Sequence, residues 1–335
     1  MVTEIYYSEK FNKHNNFGHP ENLKRTDTIL KSLKESKYCE KVKFIEPSIL
    51  KEKKLFEVHS KRMIEQIKES SNLNENWIDL DTYICKNGFD VASTAAGAVV
   101  ESCENVLKGN AGNAFTLVRP PGHHATKKRS MGFCLFNNAS IAANEMAKKG
   151  KKILIFDFDV HHGNGTQDIF YERNDVLYQS LHLSPHYPGT GDIEEIGSNK
   201  GEGFTINAPL SYGNGNRCAS EVLDEIFLPI AKQFKADLTI ISVGYDSHHS
   251  DPLGGLRFTS DFFGEMTEKY QQVQNKIVCT LEGGYNLDWI GKCFLSQIGK
   301  MVDEEYKIED KINEKGNVRN LIKDLKEKMG SYWKI

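Results

Sequence analysis

The sequence predicts an α/β fold, with a mostly parallel central sheet and helices on both faces. Three observations carry that expectation. Short apolar runs alternate with longer stretches of helical periodicity. The runs are nearly continuous in apolar residues, as in strands covered on both faces. Several of them end in clusters of uncommon polar residues, and ligands of open parallel sheets collect outside the carboxyl ends of the strands.

Taken in order, residues 91–107 read as a helix rich in small residues and stopped by Gly109, and residues 114–118 as the strand that follows. A second helix is expected over 137–149, stopped by Gly150, before a strand at 153–156. Strands at 176–182, 238–243 and 277–281 come next, separated by helices over 219–234 and 259–274. Leu321, Ile322, Leu325 and Met329 fall at helical spacing within 318–332, which reads as a C-terminal helix docking on the core. No repeat, low-complexity linker or Pro/Ser-rich joint divides the chain, so 1–335 is expected to form a single domain.

The 335 residues are 39% apolar and 27% charged, with a net charge of −3. That balance gives no general attraction to nucleic acid or to an anionic membrane surface. Seven cysteines, odd in number and without a CxxC pair, suit buried thiols in a reducing compartment. The first residues show no secretory pattern and no apolar stretch is long enough to span a bilayer, so a cytoplasmic protein is expected.

The chemistry gathers at five strand ends. After the run 153–156 come Asp157, Asp159 and His161, two residues apart and so on one side of an extended chain. Two carboxylates and an imidazole leaving a buried strand are costly unless they hold a cation. With Asp246, at the end of another strand, Asp159 and His161 supply three protein ligands, the number typical of catalytic zinc sites that keep positions open. The oxygen-rich set would also suit ferrous iron or cobalt. Such an ion lowers the pKa of water and polarises a carbonyl.

His123 and His124 follow a stiff Pro-Pro-Gly turn, an arrangement suited to acid and base work. A working base needs an orienting partner, which Asp157 would be for His123 and Asn164 for His124. An aspartate favours the charged imidazolium and a neutral asparagine does so less, so the two histidines are expected to differ in pKa. Tyr285, after Gly283 and Gly284, is placed to donate a hydrogen bond to a developing oxyanion.

Together these motifs resemble the histone deacetylase superfamily, within the arginase-like α/β fold. The likeness runs over about residues 15 to 300, through Gly18-His-Pro-Glu21 with Arg25, Asp81-Thr-Tyr83, Arg119-Pro-Pro-Gly-His-His-Ala125 and Gly132-Phe-Cys-Leu-Phe-Asn-Asn138. It continues through Asp157 to Gln167, Tyr187-Pro-Gly-Thr-Gly191, Asp251-Pro-Leu-Gly-Gly255 and Leu281-Glu-Gly-Gly-Tyr-Asn286. The resemblance implies zinc on Asp159, His161 and Asp246, water activation and amine protonation by His123 and His124, and Tyr285 as the catalytic tyrosine. It implies an acyl-lysine tunnel at Gly132, Phe133 and Tyr187, the last in place of the more usual phenylalanine. It makes Asp81 a rim residue that grips substrate amides. It also implies an inner monovalent cation, usually potassium, held by Asp157, Ser180, Leu181 and the carbonyls of Asp159 and His161.

The expected activity is therefore zinc-dependent hydrolysis of an acetylated primary amine, first of all acetyl-lysine in proteins or peptides, with no direct nucleic-acid or membrane partner. The branch resembled is that of class II and bacterial deacetylase-like enzymes and acetylpolyamine amidohydrolases. An acetylpolyamine substrate is the alternative. Some polyamine-selective relatives place a glutamate where Leu253 stands; here Glu21 and Asp192 are the carboxylates expected near the mouth. A non-catalytic acetyl-lysine binder is the remote alternative.

Overall fold

The strands fall where apolar runs break on polar clusters. A computed structural model describes residues 2–73, 76–306 and 308–335. Its strands are β1 (Thr3–Tyr6), β2 (Val42–Ile45), β3 (Asn76–Trp77), β4 (Tyr83–Ile84) and β5 (Asn113–Thr116). They continue with β6 (Ile153–Asp157), β7 (Val176–Leu183), β8 (Thr205–Leu210), β9 (Leu238–Val243) and β10 (Ile277–Leu281). Eight of them form one sheet in the order β2-β1-β5-β10-β9-β6-β7-β8, every pair parallel; β3 and β4 form a separate antiparallel hairpin.

The five strands legible as apolar runs are the five contiguous central ones, β5-β10-β9-β6-β7. Their side chains alternate between two cores. Ile153 and Ile155 of β6 enter one, with Leu238 and Ile240; Leu154 and Phe156 enter the other, with Ile241 and Val243. A strand buried on both faces has no polar face to reveal its period, hence the continuous runs. Helices cover both faces. Gly88–Lys108 and Asn138–Ala147 pack on the first, and Ser260–Gln271 and Ile290–Met301 on the second. The C-terminal helix spans Arg319–Met329 and buries Ile322, Leu325 and Met329 in the second core.

Because the sheet is parallel, the carboxyl ends of β5, β10, β9, β6 and β7 share one rim. Asp157, the last residue of β6, stands in register with Ser180 of β7 and Ser242 of β9, which places a polar layer directly above the apolar sheet. Among the described residues, no helix is long and apolar enough to cross a membrane.

Candidate active site

Past β6 the chain carries Asp159 and His161 to meet Asp246, which sits in the turn Tyr245–Ser247 after β9. His161 Nδ1 lies 3.0 Å from Asp159 Oδ1 and 3.3 Å from Asp246 Oδ2. Both carboxylates are buried. Asp159 Oδ2 accepts from the Gly283 N–H at 2.8 Å and Asp246 Oδ1 from the Val160 N–H at 3.0 Å, but Asp246 Oδ2 has no hydrogen-bond partner. A buried carboxylate oxygen left without a donor is costly. Two carboxylates and an imidazole whose ligand atoms lie within 4.8 Å of one another, one oxygen of them without a donor, fit a divalent cation. Gly283 makes room for them, since a Cβ there would fall 2.0 Å from Asp246 Oδ2. Gly284 follows with a φ of +114°, the backbone freedom that lets the chain turn outward to Tyr285.

Asp157 and Asp159 both lie against His123, whose Nε2 is 3.9 Å from Asp159 Oδ2. Asp157 Oδ2 lies 3.1 Å from His123 Nδ1, the partner expected for it, and 3.2 Å from the Tyr178 hydroxyl. His124 Nδ1 lies 2.8 Å from Asn164 Oδ1. Since a carbonyl oxygen only accepts, Nδ1 of His124 carries the hydrogen and Nε2 is left as the basic nitrogen. Burial opposes charge on His123, but Asp159 and Asp157 outweigh it and raise its pKa to about 10. Burial holds the pKa of His124 well below the ordinary value, helped by the neighbouring His123 and His161. The two shifts therefore run in opposite directions.

The ends of the five strands enclose a cavity of about 360 Å³, lined by His123, His124, His161, Gly132, Phe133, Tyr187, Leu253, Asp81 and Tyr285. Phe133 and Tyr285 meet edge to face at 5.9 Å, and Tyr187 meets His124 edge to face at 5.1 Å. The cavity wall is thus rich in aromatic rings and imidazoles. Burial raises the Tyr285 phenol well above its ordinary pKa, so it remains a hydrogen-bond donor. Thr82 Oγ1 donates to Asp81 Oδ1 at 3.0 Å and accepts from the Phe133 N–H at 3.1 Å, which ties the Asp81 carboxylate to Phe133.

Ser180 and Leu181 lie on β7 beside Asp157, but Ser180 Oγ is already 2.9 Å from His182 Nδ1. Glu21 is not at the mouth. It is fully buried, gripped by Arg119 at 2.5 and 2.9 Å and by Arg25 at 3.3 Å. Two guanidiniums in the interior need a carboxylate more than a substrate does. Asp192 is exposed and is not among the cavity-lining residues.

Two participants escaped the sequence reading. His186 lines the cavity and stacks on His161 with ring centres 4.9 Å apart. Its only sequence signal was its place beside Tyr187. Glu282 is buried beneath the Pro-Pro-Gly loop, where Oε2 accepts from the Gly122 and His123 N–H groups at 2.6 and 3.0 Å. A glutamate closing an apolar strand gave the hint.

Comparison with known proteins agrees with this geometry. The sequence model of the histone deacetylase domain matches residues 19–301. A protein of Methanothermobacter thermautotrophicus described as a probable deacetylase is 36% identical, over 98% of this chain and 99% of the relative. A probable deacetylase of Archaeoglobus fulgidus is 38% identical over 86% of this chain and 82% of the relative. The crystal structure of the HDA15 HD domain superposes with a TM-score of 0.93 at 34% identity, covering 99% of this chain and 95% of that one. The chain belongs to the histone deacetylase family.

Proposed function

We propose that the protein is a zinc-dependent deacetylase whose first substrate is acetyl-lysine in a peptide or protein. The observation that carries this reading is the division of labour between His123 and His124 beside the Asp159, His161 and Asp246 cluster, facing Tyr285 across one aromatic cavity. Asp159, His161 and Asp246 would hold the zinc ion, which would supply Lewis acidity toward water and the acetyl carbonyl. A monovalent cation at Asp157, Ser180 and Leu181 belongs to the same proposal.

The chain's own groups do the rest. The tunnel admits the apolar stem of an acyl-lysine while excluding bulk water. Tyr285 donates its hydroxyl hydrogen to the acetyl oxygen as negative charge develops there. His124 Nε2 accepts the proton of the attacking water and returns it to the departing amine as the C–N bond breaks, giving acetate and a free amine. His123, held as imidazolium by Asp157, offsets the charge that accumulates. Asp81 at the rim is placed to accept from substrate backbone amides.

Leu253 is apolar and Glu21 is interior, so of the carboxylates expected to draw a distal ammonium neither Glu21 nor a glutamate at 253 serves. That ranks acetylpolyamines below peptides. Chelation followed by zinc titration tests the reading: acetate release from an acetyl-lysine peptide should vanish and return with the metal. Turnover that survives complete removal of divalent ions would defeat it.

A further inference from the structure

His248, His249 and Asp310 bring ligand-type atoms within 4.8 Å of one another, as Asp159, His161 and Asp246 do. The protons distinguish the two groups. His248 Nδ1 accepts from the Ser250 N–H at 3.2 Å, so the hydrogen of the neutral ring is on Nε2, 3.0 Å from Asp310 Oδ2. A metal would need the lone pair of that nitrogen. The cluster is a hydrogen-bonded clasp: His249 Nε2 lies 2.8 Å from Asp310 Oδ1, and the Ser260 N–H donates to Oδ2 at 2.7 Å.

What the clasp holds is the turn beside the catalytic centre. Next in the chain, Asp251 grips the main chain of Tyr285 and Asn286, and Ser250 the side chain of Asn286. Asp251 Oδ2 accepts from the Tyr285 N–H at 2.6 Å and the Asn286 N–H at 2.9 Å, and the Ser250 carbonyl accepts from Asn286 Nδ2 at 2.7 Å. Trp289 stacks on His248 with ring centres 4.8 Å apart, closing the group from the other side. Asp310 itself arrives from the irregular stretch between the helices Ile290–Met301 and Arg319–Met329, past the last residue matched by the family model, 301. It is buried and accepts all three hydrogen bonds named above.

We propose that Asp310 is a positioning residue for Tyr285: by clasping His248 and His249 it fixes the Ser250–Asp251 turn from which the phenol is aimed. The proposal rests on the reading that Tyr285 donates to the acetyl oxygen. A donor displaced by a fraction of an ångström loses its advantage in the transition state while substrate binding is little affected.

A double-mutant cycle on the full-length, zinc-loaded protein tests it, with an acetyl-lysine peptide as substrate. D310A is expected to lower kcat about tenfold with KM within about twofold and bound zinc unchanged. In the Y285F background, where there is no hydroxyl left to aim, D310A should lower kcat by less than about twofold further. An undiminished D310A effect in Y285F, or a wild-type kcat for D310A alone, overturns the proposal. A wild-type kcat for Y285F alone would instead sink the role given to Tyr285. Should D310A fold poorly, D310N, which keeps the shape and loses one acceptor, carries the same comparison.

Discussion

Nδ1 of His123 lies 3.1 Å from Oδ2 of Asp157, and this contact makes the tandem histidines unequal. His124 Nδ1 instead faces the neutral carbonyl oxygen of Asn164, at 2.8 Å. Asp157→Asn should lower kcat by about a hundredfold by removing the carboxylate hydrogen-bonded to His123, one of the two charges that favour its protonation. Asn164→Ala should cost about tenfold, since it frees the tautomer of His124 without removing a charge. Steady-state kcat at equal zinc content checks both. A D157N enzyme as fast as wild type would contradict the assignment.

His161 Nδ1 lies 3.3 Å from Asp246 Oδ2, a buried oxygen without a hydrogen-bond partner. His161→Ala is therefore expected to abolish stoichiometric zinc binding, read by metal analysis after dialysis. Asp157→Asn, which alters the histidine side of the site, should retain zinc. Equal loss in both variants would mean that the metal does not sit on the three proposed ligands.

Leu253 lines the cavity and offers no charge to a distal ammonium. Leu253→Glu should raise the kcat/KM ratio of N8-acetylspermidine to acetyl-lysine peptide by about tenfold, a change worth about 1.4 kcal/mol. Competition between the two substrates in one reaction measures the ratio. An unchanged ratio would remove Leu253 from the specificity argument.

Glu21 predicts an acid limit to stability. Burial alone would raise its pKa, but Arg119 and Arg25 outweigh burial and bring it from 4.5 to about 2. Because the folded value is depressed, the stability it contributes is fully present above about pH 4.5 and is lost as pH falls through 2. That contribution is on the order of 3 kcal/mol. The gap in unfolding free energy between wild type and Glu21→Gln should narrow by about that amount between pH 5 and pH 2, in urea titrations. A constant gap would show that the carboxylate ionises no more readily folded than unfolded.

Much of this was legible in the sequence, for physical reasons. Strands covered on both faces read as apolar runs, and their ends stood out because polar residues there are expensive without a task. β1, β2 and β8 gave no such signal: β1 carries Thr3 and Glu4, β2 alternates Lys43 with partly exposed neighbours, and β8 contains Asn207 and Pro209. Helix Asn216–Val222 runs on through a π-turn into Leu228–Phe234, so one expected helix over 219–234 became three segments. Glu21 was misplaced because a carboxylate in a motif looks alike whether it meets solvent or two guanidiniums. The Asp310 clasp joins residues some sixty positions apart, a pairing that no local periodicity reveals.

The most direct test of the whole account is a steady-state comparison, on the zinc-loaded protein, of acetate release from an acetyl-lysine peptide, N-acetylputrescine and N8-acetylspermidine. The account predicts a kcat/KM for the peptide at least about tenfold above either small amine. No acetate from any of the three, with zinc bound, would contradict it.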